Sequence, residues 1–188
     1  MQLFNVTVFG NGHFGCSSVL SRHSTLGIGD SKFLGIQGSF GTAMMILESC
    51  VTFTGNNTFL NNAALIGGSL YFLMSVVILK GTNMFEDNYT FVRSEFRTLN
   101  CIYCNNNKCQ KEVISSGGAI YSNYSTFIIN SDISNNFAHT NGGAVFAQDG
   151  NIVIQDSTVL FDRNLARSEG GVMCLFFVTL ILDGISPS

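Results

Sequence analysis

The chain has 188 residues, a net charge of -3, 46% hydrophobic and only 11% charged residues, with 20 Gly, 17 Phe, one Pro and no Trp. Such a length suits a single domain, and the apolar content without charge blocks excludes a disordered chain and disfavours a helical bundle. A slightly acidic balance with no basic stripe excludes nucleic acid as a partner.

Taken in chain order, the sequence repeats itself about every 26 residues. Gly15, Gly41, Gly67, Gly117, Gly142 and Gly170 recur at near-constant intervals, with a double interval between Gly67 and Gly117. From Gly67 onward each opens a Gly-Gly-small triplet: Gly67-Gly68-Ser69, Gly117-Gly118-Ala119, Gly142-Gly143-Ala144 and Gly170-Gly171-Val172. A second column runs Phe33, Phe59, Phe85, Ile133 and Phe161, with Asn62, Asn88, Asn136 and Asn164 three residues after the last four. A period of this size means one supersecondary unit stacked many times. The double interval predicts a degenerate coil near Val92, where Arg93, Ser94 and Glu95 replace the glycines, which gives about seven partial or complete coils.

Three short extended runs are expected in each coil, separated by turn residues. The first follows the glycines: Ala43 to Leu47, Ser69 to Leu73, Ala119 to Tyr121, Ala144 to Ala147 and Val172 to Phe176. The second comprises Val51 to Phe53, Val76 to Leu79, Phe127 to Ile129, Ile152 to Ile154 and Val178 to Leu182, and the third carries the Phe column. The fold class is therefore all-β, a parallel β-helix occupying residues 1–188 as one domain. A single coil cannot bury its own inward side chains, so stacking supplies the core and the hydrogen bonds run between coils. Phe33, Phe59, Phe85, Ile133 and Phe161 are predicted to form one inward ladder, each side chain stabilising the stack by a few kcal/mol, roughly 1.5–3. The Asn column is placed at a sharp bend in the left-handed conformation, with side chains bonded from coil to coil. The glycine pairs supply positive φ and close approach.

Two apolar stretches, Ala63 to Leu79 and Val172 to Leu182, fall in strand register and are read as buried strand pairs instead of membrane spans. Residues 98–112 form an Asn-rich inter-coil insertion holding Cys101, Cys104 and Cys109. A disulfide is the leading reading for these three, with free thiols and a zinc site lacking its fourth ligand as alternatives. Cys16, Cys50 and Cys174 lie in or beside strands and are read as small buried hydrophobes. Acceptor triplets for N-glycosylation begin at Asn5, Asn56, Asn88 and Asn123, of which Asn88 is committed to the ladder and the other three are the better candidates.

The residues resemble a family. Gly117-Gly118-Ala119-Ile120 and Gly142-Gly143-Ala144-Val145, alternating with Phe59-Leu60-Asn61-Asn62, Phe85-Glu86-Asp87-Asn88 and Phe161-Asp162-Arg163-Asn164, are similar to the paired GGAI and FxxN repeats of the polymorphic outer membrane proteins. The resemblance covers the chain from about Gly41 onward. It implies a right-handed parallel β-helix like that of the pectin lyase superfamily, a surface-exposed adhesin, and an extracellular or cell-surface location. No basic leader precedes the apolar start and no series of amphipathic barrel strands closes the chain, so the sequence reads as a fragment of a longer protein. An uncapped coil at Val178 to Leu182 is expected to associate end to end or be poorly soluble.

Catalysis is the rival reading, because related β-helices cleave acidic polysaccharides. That chemistry needs clustered carboxylates and a positive residue. Asp30, Asp87, Asp132, Asp149, Asp156, Asp162 and Asp183 are dispersed; Asp132 with Asp156, and Asp162 beside Arg163, are the nearest to a cluster. His13, flanked by glycine, lacks the paired aspartates and basic residue that would make it catalytic, and His23 and His139 carry no site either. The expected role is thus non-catalytic, adhesion or a structural stalk. It involves no cofactor; its partners are a protein or glycan at a cell surface and adjacent repeats of the same chain, with specificity in the loop from Thr98 to Glu112.

Overall fold

The structure, a computed structural model, describes residues 1–10, 17–91, 115–155 and 158–183. In chain order the strands of the first three coils are β1 (Gln2–Phe4), β2 (Thr7–Phe9), β3 (Val19–Arg22), β4 (Thr25–Gly29), β5 (Lys32–Leu34), β6 (Met44–Leu47), β7 (Cys50–Thr54), β8 (Asn57–Leu60) and β9 (Ala63–Ala64). There follow β10 (Leu70–Leu73), β11 (Val76–Glu86), β12 (Tyr89–Thr90), β13 (Ile120–Asn123), β14 (Thr126–Ser134) and β15 (Phe137–Ala138). The last are β16 (Val145–Ile154), β17 (Phe161–Asp162), β18 (Leu165–Ala166) and β19 (Met173–Leu182).

Every pairing among them is parallel and joins one coil to the next. One face stacks β3, β6, β10, β13 and the first halves of β16 and β19. The next stacks β1, β4, β7, the starts of β11 and β14, and the second halves of β16 and β19. The Phe column runs down a third face through β2, β5, β8, the ends of β11 and β14, and β17. A narrow fourth ribbon of two-residue strands, β9, β12, β15 and β18, lies just past the Asn column. The fold is a parallel β-solenoid of about six turns, with three main strands per coil as the spacing predicts and this fourth ribbon added.

The strand-period alternation points every second residue inward. On β6 and β10 these are Met44, Ile46, Leu70 and Phe72, all in one core with Val51, Phe53, Val77, Leu79, Phe127, Ile129 and Ile152 from the second face. Phe33, Phe59 and Phe85 stack face to face, with centroids 5.1 and 4.4 Å apart and planes within 3°. Ile133 and Phe161 continue the column. In-register stacking follows from the parallel ladder, which holds equivalent residues about 4.8 Å apart.

Two expectations are corrected here. The coil expected near Val92 is not in the stack, because β10 pairs directly with β13 and β11 with β14, putting Leu70 beside Ile120 and Phe85 beside Ile133. The residues on either side of the long interval meet: Ser115 Oγ donates to the Phe91 carbonyl at 2.9 Å, and Thr90 Oγ1 to the Ser115 carbonyl at 2.7 Å, while residues 92–114 lie outside the described residues. Loop closure at fixed ends costs little extra for added length, so an insertion here leaves the stack intact. The second correction concerns Cys50, which is exposed, whereas Cys174 is buried. Cys50 precedes inward-facing Val51 on β7, so alternation turns it out.

Candidate functional site: the corners of the solenoid and the open groove at Ser131

Function in a solenoid resides at the corners, where backbone groups leave the ladder and side chains must take them up. The corner after the Phe face holds the Asn column. Asn62 and Asn88 are fully buried, and each backbone N–H of the column donates to the carboxamide oxygen of the next coil: Ile36 to Asn62, Asn62 to Asn88, Asn88 to Asn136 and Asn136 to Asn164, at 2.9–3.0 Å. The carboxamide nitrogens donate backwards, to the carbonyls of Phe33, Phe59, Phe85 and Ile133. The side chains also bond one another, Asn88 to Asn136 at 3.0 Å and Asn136 to Asn164 at 2.9 Å. The left-handed residue is the one before each ladder Asn: Asn61, Asp87, Asn135 and Arg163, with φ near +50°. That reversal corrects the sequence expectation. The left-handed residue turns the chain, and the bend swings the following side chain inward, where a carboxamide meets both a donor and an acceptor of the neighbouring coil.

The glycine pairs split two tasks. Gly67, Gly117, Gly142 and Gly170 take positive φ, between +62° and +73°. Gly68, Gly118 and Gly143 leave no room for a side chain, since a Cβ on each would sit 2.0 Å from the carbonyl oxygen of Gly118, Gly143 and Gly171 respectively. A third corner, between the first and second faces, uses serine. Ser24, Ser49 and Ser75 donate their N–H to the hydroxyls of Ser49, Ser75 and Ser125, and each hydroxyl of Ser49, Ser75 and Ser125 donates to the carbonyl two residues back. No sequence argument above found this ladder, although Ser24, Ser49 and Ser75 are spaced at the repeat period.

The remaining corner, between the second and third faces, is irregular. Its column is Ser31, Asn57, Asn83 and Ser131. Asn57 accepts the Ser31 N–H at 3.0 Å and donates to Asn83 Oδ1 at 2.8 Å. At Ser131 the ladder stops, since a hydroxymethyl is too short to replace the carboxamide; Ser131 is 4% exposed and its hydroxyl has no hydrogen-bond partner. The connection also shrinks. Three residues, Lys80, Gly81 and Thr82, link Leu79 to Asn83, whereas only Asn130 links the register partners Ile129 and Ser131. This short corner leaves a recess of about 460 Å³, whose lining among the described residues is Gly81, Thr82, Asn83, Asn130, Ser131, Asp132, Thr158 and Val159. Asp132 Oδ1 accepts the Leu160 N–H at 3.2 Å, which fixes the carboxylate at the rim.

The other residues singled out in the sequence lie apart. Asn5 and Asn56 are exposed, while Asn123 is half-buried with its side-chain oxygen enclosed and unbonded, and Asn88 is enclosed in the ladder. Cys16, Cys101, Cys104 and Cys109 lie outside the described residues, as do His13 and Asp156. Cys174 has its thiol pushed up by burial and by the nearby Glu169 charge, which keeps it protonated. His23 faces Glu48 at 3.2 Å on the surface, and Asp162 pairs with Arg163 at 3.4 Å, also exposed. His139 is half-buried, its N–H donating to Thr90 Oγ1. Among the described residues no three His, Cys, Asp or Glu side chains converge on a metal site.

The fold and its corners define a β-solenoid repeat protein built on glycine-pair turns and polar ladders. A family model, the Chlamydia polymorphic membrane protein repeat, matches residues 130–148. The matched stretch runs from Asn130 at the groove through the Asn136 ladder and the Gly142-Gly143 turn into β16. No curated protein and no solved structure matches the chain. The repeat points to a surface or outer-membrane protein. No helix among the described residues is long and apolar enough to cross a membrane, which says nothing of a β-barrel.

Proposed function

We propose that this chain is a non-catalytic attachment segment of a surface protein, presenting its corners and the segment after Phe91 to a protein or glycan on another surface. The observation that carries the reading is the polymorphic membrane protein repeat embedded in a regular solenoid whose faces are spent on stacking. Ordered faces on a rigid scaffold suit recognition, because connections on rigid frames can vary without loss of fold. The carboxylates support the same reading: Asp132 and Asp162 are held in local contacts, and Asp30 accepts the Asn56 N–H. A lyase or hydrolase of the pectin lyase-like kind would need them gathered opposite a cation.

The test is attachment of cultured epithelial cells to surfaces coated with the 188-residue chain, against a variant in which residues 92–114 are replaced by a two-glycine link. Attachment above an albumin control, reduced at least severalfold by the excision, is the expected result. Attachment equal to the control would leave a spacer role in its place. Release of unsaturated or reducing ends from polygalacturonate would establish the enzyme.

A further inference from the structure

We infer that the ridge between the first and second faces is the binding surface for an extended, uncharged glycan chain lying along the solenoid axis. The inference deepens the attachment reading and rests on it for its biological setting alone. Each rung of that corner holds one residue in the left-handed region: His23, Glu48, Met74, Tyr124, Asp149 and Phe177, with φ between +47° and +53°. Their side chains leave the corner toward solvent, and Met74 is 53% exposed, Tyr124 59% and Phe177 89%. A left-handed backbone disfavours large side chains and favours Gly, Asn and Asp. The Asn corner follows that preference at Asn61, Asp87 and Asn135. Here three large apolar side chains take the same backbone and face water, so neither folding nor solubility accounts for them, and strain of this kind gathers where a ligand is held. The ridge is also tied down, because the N–H groups of Glu48, Met74 and Tyr124 donate to the carbonyls of Leu73, Asn123 and Gln148 on the next coil at 2.9–3.0 Å.

The order of side chains along the ridge selects the ligand class. Tyr124 and Phe177 stand two rungs apart, since Asn123 pairs with Gln148 and Gln148 with Phe176. At the inter-strand spacing that is about 9.6 Å, roughly the length of two β-linked pyranose rings. The rung between them is polar: Gln148 Nε2 donates to Asp149 Oδ2 at 3.1 Å, and beside it Asn151 Nδ2 donates to Thr126 Oγ1 at 3.2 Å. An aromatic plate, a hydrogen-bonding rung and a second plate complement a pyranose chain, whose ring C–H faces are apolar and whose hydroxyls donate and accept. A lipid surface or an apolar protein groove would cover Asp149 without giving its carboxylate a donor, leaving a buried unpaired charge. An acidic glycan meets that carboxylate with no cation to offset it, because residues 73–76, 123–126, 148–151 and 176–179 contain no Lys or Arg. A convex ridge suits a polymer laid along it and gives a single sugar only one plate to rest on.

The test is a titration of the ¹⁵N-labelled 188-residue chain with cellohexaose and chitohexaose, and separately with glucose, polygalacturonate and phosphatidylcholine vesicles, read by amide chemical shifts. A neutral hexasaccharide should move residues 123–126, 148–151 and 176–179 saturably, with glucose at least about tenfold weaker because it engages one plate at a time. Tyr124→Ala or Phe177→Ala should each weaken binding about three- to tenfold, the loss of one stacking plate. Tyr124→Asn combined with Phe177→Asn separates binding from folding: Asn suits the left-handed backbone, so the urea midpoint should hold or rise while binding falls at least about tenfold. No saturable movement with either hexasaccharide, an equal response to glucose, a response to polygalacturonate or vesicles alone, binding that survives the double substitution, or a lower midpoint in that double variant overturns the inference. If the double variant loses cell attachment while the parent ignores both hexasaccharides, the ridge meets a protein, and the glycan inference falls with the attachment reading intact. Hexasaccharide binding without cell attachment above the albumin control would sink the attachment reading and leave this one standing.

Discussion

Removing one rung of the Asn ladder tests whether the corner, and not the apolar core alone, holds the coils in register. Asn88 is fully buried; its Oδ1 accepts from the Asn62 N–H at 3.0 Å and the Ser69 hydroxyl at 2.7 Å, and its Nδ2 donates to the Phe59 carbonyl at 2.9 Å and Asn136 Oδ1 at 3.0 Å. In Asn88→Ala, Asn136 Oδ1 keeps the Asn88 backbone N–H, and the Ser69 hydroxyl keeps the Asn62 carboxamide. The Asn62 N–H, the Ser69 O–H and the Phe59 carbonyl lose their side-chain partner. Three such groups at roughly 1–3 kcal/mol each, in a site too enclosed for free water access, give an expected loss of at least about 3–5 kcal/mol. Asn88→Asp preserves shape and tests the chemistry. Its second oxygen faces two acceptors, so the carboxyl is held neutral and its folded pKa lies above the ordinary carboxylate value. The native state then binds the proton more tightly than the unfolded chain, so stability is highest below about pH 4 and falls as pH rises from there toward the folded pKa, by up to about 1.4 kcal/mol per pH unit. Urea denaturation followed by far-ultraviolet circular dichroism at pH 4 and pH 7 measures both. Losses under about 1 kcal/mol for the alanine variant, or no pH dependence for the aspartate, would refute the assignment of the ladder as a structural determinant.

Gly118→Ala should cost more than about 3 kcal/mol or prevent folding, since its Cβ would meet the Gly143 carbonyl oxygen at 2.0 Å and the Phe137 backbone at 2.8 Å. Gly171→Ala is the control in the same column: its nearest neighbour is the Asn164 carbonyl oxygen at 3.5 Å, and its denaturation midpoint should stay near that of the parent. Excising residues 92–114 should leave stability within about 1 kcal/mol, because the Phe91 and Ser115 ends already touch; a lost cooperative transition would show that the segment is part of the stack. Tyr121, whose phenol is pushed up by burial between Tyr71 and Phe146, should hold its proton above pH 10 while the fold persists, so stability declines from about pH 10 upward. Tyr121→Phe should remove that component from the alkaline absorbance titration.

The stack was legible because its determinants repeat. Phe59, Phe85 and Phe161 occupy equivalent places on one face, and a residue that recurs at one period in many coils announces its column. Asn62 and Asn88 were legible for the same reason, yet their geometry was not: a sequence shows that Asn is required, but whether the left-handed residue is Asn62 or Asn61 depends on which one faces a neighbour, and that is settled by three-dimensional pairing. The false coil near Val92 arose from the same habit of reading, since an interval of twice the period admits either a decayed rung or an excursion that returns to its origin. Only the direct pairing of Leu70 with Ile120 distinguishes them. The groove left no periodic signal at all. It comes from a difference in link length, Lys80 to Thr82 against Asn130 alone, combined with Ser131 in place of Asn, and both are departures from the repeat.

Departures of that kind are where a solenoid acquires function. Residues on the faces are constrained on both sides by neighbours 4.8 Å away, so a change in Phe59 or Phe72 must be absorbed by two coils at once. A corner link is constrained only at its ends. Lengthening or shortening it by two residues, as between β11 and β14, preserves the pairing of Leu79 with Ile129 and of Asn83 with Ser131 while moving the wall between them. The same logic applies where Phe91 and Ser115 meet at one point of one corner, although 23 residues separate them in the chain. Differences in corner length between coils thus fall where their structural cost is least, and the Asn and Ser ladders satisfy the backbone at their corners while the Ser31–Asn57–Asn83 ladder ends at Ser131.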